Sequence, residues 1–90
     1  MPDCISVEVR LFGAFRKLGI QALRLEMLQG VRLSDVRKAL REELERQHPE
    51  SVYHELLDVS MLANEQQILP NDHMLTQDTQ LAILPPISGG

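Results

Sequence analysis

The chain has 90 residues, 43% hydrophobic and 24% charged, with a formal net charge of −4, which is enough for one domain with a modest core. Aromatic residues make up only 3% and Trp is absent, so the core is expected to be aliphatic, and the stacked aromatic platform of a single-strand nucleic-acid binder is excluded. A lone Cys4 allows neither an internal disulfide nor a cysteine-rich zinc site, no apolar run approaches the roughly 18 residues of a membrane span, and no basic-then-apolar leader is evident, so the expected location is the cytoplasm.

Ile5, Val7, Val9 and Leu11 alternate with Ser6, Glu8 and Arg10, the period of two that marks a half-buried strand. Phe12 then falls on the polar face. The connection from Gly13 to Gln21 has glycines near both ends and room for one helical turn over 14–18. Leu23, Leu25 and Met27 alternate with Arg24 and Glu26 as a second strand. Ser34 is expected to cap a helix, with Asp35 favourable at the positive end of its dipole. Leu33, Val36, Leu40 and Leu44 follow at three- and four-residue spacing, with Ala39 beside them, as one apolar stripe. Arg37, Lys38, Arg41, Glu42, Glu45 and Arg46 are assigned to the solvent side. Pro49 stops the helix at or before His48. A short helix is expected over 52–57, a strand over 59–63, a very short strand at Ile68-Leu69 stopped by Pro70, and a turn at Asn71-Asp72. The last strand, over 80–84, ends at Pro85-Pro86.

A helix with a single apolar stripe needs a sheet face to cover it. The order strand, strand, long helix, short strands therefore predicts an α+β fold of the β-grasp, ubiquitin-like kind. Its mixed sheet of four to five strands packs on one main helix over 1–84, and a free extended C-terminal tail occupies 85–90.

The usual catalytic constellations are weak. No nucleophile-elbow sequence holds a Ser. His48, His54 and His73 lie on three separate segments without metal-ligand spacing. The glycines are scattered or terminal, so no phosphate loop exists. Cys4 reads as inert, and Glu42 with Glu43 as a solvated face.

The chemistry points instead to the tail. Two final glycines arise by chance in about 0.5% of chains at a Gly frequency of roughly 7%, so a physical use for them is the better explanation than a plain end of small residues. A terminal carboxylate becomes electrophilic once activated, for instance as a mixed anhydride with AMP. Reaching it requires the terminus to thread into a partner's site, and glycine neither blocks a narrow channel nor crowds attack on its carbonyl. Pro85-Pro86 stops the strand and aims the tail outward. Five residues from Pro86 to Gly90 reach at most about 17 Å. Leu84, with Ala82, faces away from the side carrying Leu81 and Ile83, so Phe12 and Leu84 are expected to form one exposed apolar patch at the root of the tail unless a loop covers them. All nine Lys and Arg lie between Arg10 and Arg46, whereas the stretch from Gln47 onward holds six acids and no Lys or Arg. Two readings of that acidic half stand side by side: a basic partner surface, or simple solubility.

Three stretches carry a resemblance. Leu11-Phe12-Gly13-Ala14-Phe15-Arg16-Lys17-Leu18-Gly19, then Leu62-Ala63-Asn64 with Asp72-His73 and Leu75, and the ending Leu84-Pro85-Pro86-Ile87-Ser88-Gly89-Gly90 resemble the small subunit of molybdopterin synthase (MoaD), a ubiquitin-like sulfur-carrier family. The Pro-Pro-hydrophobic-small-Gly-Gly close is its most specific motif. Leu84 replaces the usual aromatic, and residues 46–58 carry little of the likeness. The resemblance implies that an adenylyltransferase of the ubiquitin-activating kind uses ATP to adenylate Gly90. A sulfur donor protein then converts the acyl-adenylate to a thiocarboxylate. The tail next enters the large subunit of molybdopterin synthase, in a heterotetramer of two small and two large subunits, and donates sulfur to cyclic pyranopterin monophosphate. Catalytic side chains would belong to the large subunit. Gly89, Ser88, Ile87, Pro86, Pro85, Leu84 and Phe12 would contact partners, with no bound cofactor or metal and no nucleic-acid or membrane partner. A carrier for thiamine or cysteine synthesis, a modifier joined to lysines through Gly90, and a plain interaction module remain alternatives; the diproline favours the molybdopterin branch.

Overall fold

The alternation of Ile5, Val7, Val9 and Leu11 becomes β1 (Cys4–Leu11), and all four side chains are buried. In this computed structural model, residues 3–49 and 53–86 are described. A 3₁₀ helix (Gly13–Leu18) leads to β2 (Ala22–Leu28), a short β3 (Val31–Arg32) and the long helix α1 (Leu33–Gln47). Then come α2 (Tyr53–Val59), β4 (Met61–Ala63), β5 (Ile68–Leu69), β6 (Met74–Leu75) and β7 (Thr79–Leu84).

The main sheet has five strands in the order β2-β1-β7-β4-β5. β1 and β7 run parallel, with Val9 opposite Leu81 and Leu11 opposite Ile83, and the other pairs are antiparallel. A parallel pair requires a long crossover, which here includes α1. Asp78 Oδ1 accepts a hydrogen bond from the Ser6 amide at 2.8 Å, which pins the start of this pairing. Leu33, Val36, Leu40 and Leu44 line the buried side of α1 and meet Val7, Val9, Leu25, Leu62, Leu81 and Ile83 in one core. Among the described residues no helix is long and apolar enough to cross a membrane.

Several expectations need correction. Ser34 does not cap α1. The helix begins at Leu33, and its first amides donate to loop carbonyls, Leu33 to His73 at 3.0 Å and Ser34 to Asn71 at 2.9 Å. A tertiary contact has taken over the work of a cap. Val59 belongs to α2 rather than a strand, because the end of that helix is well satisfied: the Ser60 hydroxyl donates to the Leu56 carbonyl at 2.7 Å and Arg37 donates to the Leu57 carbonyl. The expected start of α2 at Val52 lies outside the described residues. β3 and β6, two residues each, pair with one another beside the main sheet and are too short to show alternation. The core is not purely aliphatic, since Phe15 is its largest fully buried side chain. The 3₁₀ helix carries it inward, closed by hydrogen bonds in which the Phe15 amide donates to the Phe12 carbonyl and the Gly19 amide to the Arg16 carbonyl.

Ser34→Ala is therefore expected to change the unfolding free energy by less than about 0.5 kcal/mol. A working cap would lose roughly 1 kcal/mol, and denaturant titration separates the two.

Candidate functional site

β7 lies between β1 and β4 in the main sheet, so its end is held on both edges where Leu84 passes into Pro85. Leu81 and Ile83 face the core at 2% and 0% exposure, while Leu84 turns to the opposite face. Register places Met61 opposite Leu84, and Ala63 opposite both Ala82 and Ile68, so Met61, Ile68 and Leu84 share that outer face. They are 52%, 56% and 38% exposed, and Val59, at the end of α2, is 61% exposed. These residues line a groove of about 1000 Å³ that Leu56, Ala14 and Pro85-Pro86 extend around the end of the sheet. An apolar concavity of this kind, left open at the root of a tail, suits a partner's apolar anchor.

The wall formed by α2 depends on Arg37. Nη1 donates to the carbonyls of Leu57 and Ser60, the latter at 2.6 Å, and Nη2 donates to Asn71 Oδ1 at 3.2 Å. A cation at a helix C-terminus also meets the negative end of the dipole. Burial pulls the Arg37 guanidinium below its ordinary value, and nearby Asp58 partly offsets this. Arg37 thus departs from the solvent-side position expected of it: it is half-buried, because α2 packs against that flank of α1. Asp58 in turn pairs with Arg41, which also binds Glu45 at 3.2 Å. The hydrogen bond to Asp58, chiefly, holds the Arg41 guanidinium above its usual range. Part of the acidic half is thus already answered within the chain.

Phe12 is half-buried, with the Arg16 guanidinium carbon 5.4 Å from its ring centroid. It lines a separate hollow of about 190 Å³ with Arg10, Ala63 and Ala82, whereas Leu84 lines the larger groove. Pro85 and Pro86 edge that groove. Ile87, Ser88, Gly89 and Gly90 lie outside the described residues. Val59, Met61 and Ile68 did not emerge from the sequence; strand parity would have exposed Met61 and Ile68 had the β4–β5 register been known. Among the described residues no three His, Cys, Asp or Glu side chains gather as a metal site.

A mixed five-stranded sheet on one main helix, ending in a central strand, defines a β-grasp, ubiquitin-like protein. The profile of the ThiS family matches residues 9–90, and the chain belongs to that family. Its fold is similar to SAMP1 from Haloferax volcanii, at 23% identity and a TM-score of 0.68 over 94% of this chain and 99% of that one. It is also similar to a structure from the complex of subunits 1 and 2 of molybdopterin-converting factor from Helicobacter pylori, at 24% identity and a TM-score of 0.62 over 96% of this chain and 100% of that one. The ubiquitin of Caldiarchaeum subterraneum is more distant in sequence, at 13% identity and a TM-score of 0.58 over 98% of this chain and 100% of that one. No curated protein sequence matches the chain. The fold is that of ubiquitin-like sulfur carriers and modifiers.

Arg37→Met removes the donor that serves the Leu57 and Ser60 carbonyls. The expected loss is about 1.5–3 kcal/mol, read by chemical denaturation. A loss under about 0.5 kcal/mol would mean that α2 holds its place without the guanidinium.

Proposed function

We propose that this protein is the sulfur-carrier subunit of a molybdopterin synthase, acting through the carboxylate of Gly90. The observation that carries this reading is the placement of β7: a central core strand runs into Pro85-Pro86 at the edge of an apolar groove, so the last four residues have a fixed root and a docking surface beside it. On an activating adenylyltransferase the Gly90 carboxylate attacks the α-phosphate of ATP, pyrophosphate leaves, and the acyl-adenylate forms. The outer sulfur of a donor protein's persulfide then bonds to the Gly90 carbonyl carbon and AMP leaves; a second thiol breaks the S–S bond of the resulting acyl disulfide, which releases the thiocarboxylate and leaves the two thiols as a disulfide. The large subunit receives the tail and supplies the side chains for transfer to cyclic pyranopterin monophosphate. Leu84, Pro85, Pro86 and Phe12 contact partners from the described part of the chain, and Ile87, Ser88, Gly89 and Gly90 enter the partner's site. Support comes from membership of the ThiS family and from likeness in fold to a subunit of the molybdopterin-converting factor complex. The likeness to SAMP1, a small archaeal modifier protein, favours a second reading in which Gly90 is joined to target lysines.

Reconstitution separates the two. Thiocarboxylated protein mixed with a molybdopterin synthase large subunit and cyclic pyranopterin monophosphate should yield molybdopterin, and the same chain lacking Gly90 should fold normally and yield none. Product formation without Gly90 would sink the carrier reading. ATP-dependent isopeptide conjugates on protein lysines, with no molybdopterin formed, would establish the modifier reading instead.

A further inference from the structure

We infer that Gly13 is a positioning residue that sets the direction in which the tail leaves the domain; this rests on the reading that Gly90 is delivered into a partner's site. Gly13 follows Phe12 at the end of β1 and opens the 3₁₀ helix with φ +61°. A Cβ built there would lie 2.7 Å from Pro85 Cγ, closer than such carbon atoms approach in folded proteins, and 3.5 Å from Pro85 Cδ, an ordinary contact. Gly19 and Gly30 also have positive φ, at 78° and 89°, yet a Cβ at either meets nothing within 4 Å. Their backbone conformation alone favours glycine. Only at Gly13, among these, does the missing side chain also make room for another residue.

That residue is the first of the tail. A pyrrolidine ring is bonded to its own backbone at both ends, so Cγ can yield only by repuckering the ring, a small movement beside the swing of a free side chain. Whatever repuckering does not relieve is passed to the Pro85 backbone and the chain beyond it. Five residues reach at most about 17 Å, so a tilt of roughly 10° at their root would move the tip by up to about 3 Å. Misplacement of a reacting atom by even about 1 Å can cost on the order of a hundredfold in rate. β1 and β4 hold the edges of β7, and the empty space at Gly13 lets Pro85 seat against the 3₁₀ helix just where the strand ends.

The test separates the effect of φ from that of the clash. Asn tolerates positive φ better than other side chains, so Gly13→Asn adds the Cβ with limited backbone penalty. Pro85→Ala removes the ring carbons it would strike. Acyl-adenylate formation is followed with the activating enzyme and ATP, alongside ¹³Cα shifts of the free proteins. Gly13→Asn should lower kcat at Gly90 at least about tenfold while KM changes less than about threefold, with shifts concentrated at residues 84–90 and around residue 13. The double variant Gly13→Asn/Pro85→Ala should match Pro85→Ala alone within about threefold in kcat, and its 87–90 shifts should return toward those of Pro85→Ala alone. A double variant slower than Pro85→Ala by the same factor that separates Gly13→Asn from wild type, or shifts spread through Leu40 and Leu62, would assign Gly13 to the fold and overturn the inference. Wild-type rates in Gly13→Asn would overturn it as well. If the unsubstituted protein is never adenylated, the proposed function fails, and the shift pattern of the free proteins still decides the role of Gly13.

Discussion

Parallel pairing between the first strand and the last holds this molecule together. β7 follows α1, α2 and the short strands in the chain and lies between β1 and β4 in the sheet. Val9 meets Leu81 and Leu11 meets Ile83 across that pairing. Leu81 and Ile83 are buried against the helix, each contributing about 1.5–3 kcal/mol. On the proposed reading, a partner that drew on the residues past Pro86 would pull against a buried strand paired on both edges, and the root would stay where the domain puts it.

The same arrangement explains why the groove lies where it does. A six-residue strand that buries alternate side chains must turn the others outward, and Leu84 is the last of these. Met61 and Ile68 join it through register, and Val59 arrives from α2. Arg37 and the Ser60 hydroxyl fix the end of α2 through its carbonyls, so one wall of an apolar groove rests on a polar network beneath it. Gly13 closes the other end against Pro85. Fold and site are thus coupled through a few backbone groups rather than through a catalytic cluster.

Much of this was readable in the chain because long elements with a clean period declare themselves. β1 and the stripe of α1 follow from alternation and from three- and four-residue spacing, and the β-grasp order follows from the need to cover that stripe. The failures share a cause, which is contact between distant segments. Ser34 looks like a cap until the loop at Asn71 and His73 supplies the acceptors. Arg37 looks solvated until α2 covers it. β3 and β6 are stabilised by each other and by the Gly30 amide donating to the Leu75 carbonyl at 2.7 Å, which two-residue segments cannot announce. Parity placed Leu84 on the outer face, but parity alone does not say that Phe12 lies under Arg16 in a separate hollow. Gly13 sits in plain sight between Phe12 and Ala14, and only the fold shows Pro85 against it.

On the proposed reading the reactive atom of this protein belongs to Gly90 and not to a side chain. Intact and peptide mass spectrometry after incubation with ATP, an activating adenylyltransferase and a sulfur donor decides between the two. An ATP-dependent exchange of one oxygen for one sulfur is expected, confined to the peptide that ends in Gly90. Addition of a whole sulfur atom at the exposed Cys4, with the Gly90 peptide unchanged, would contradict it.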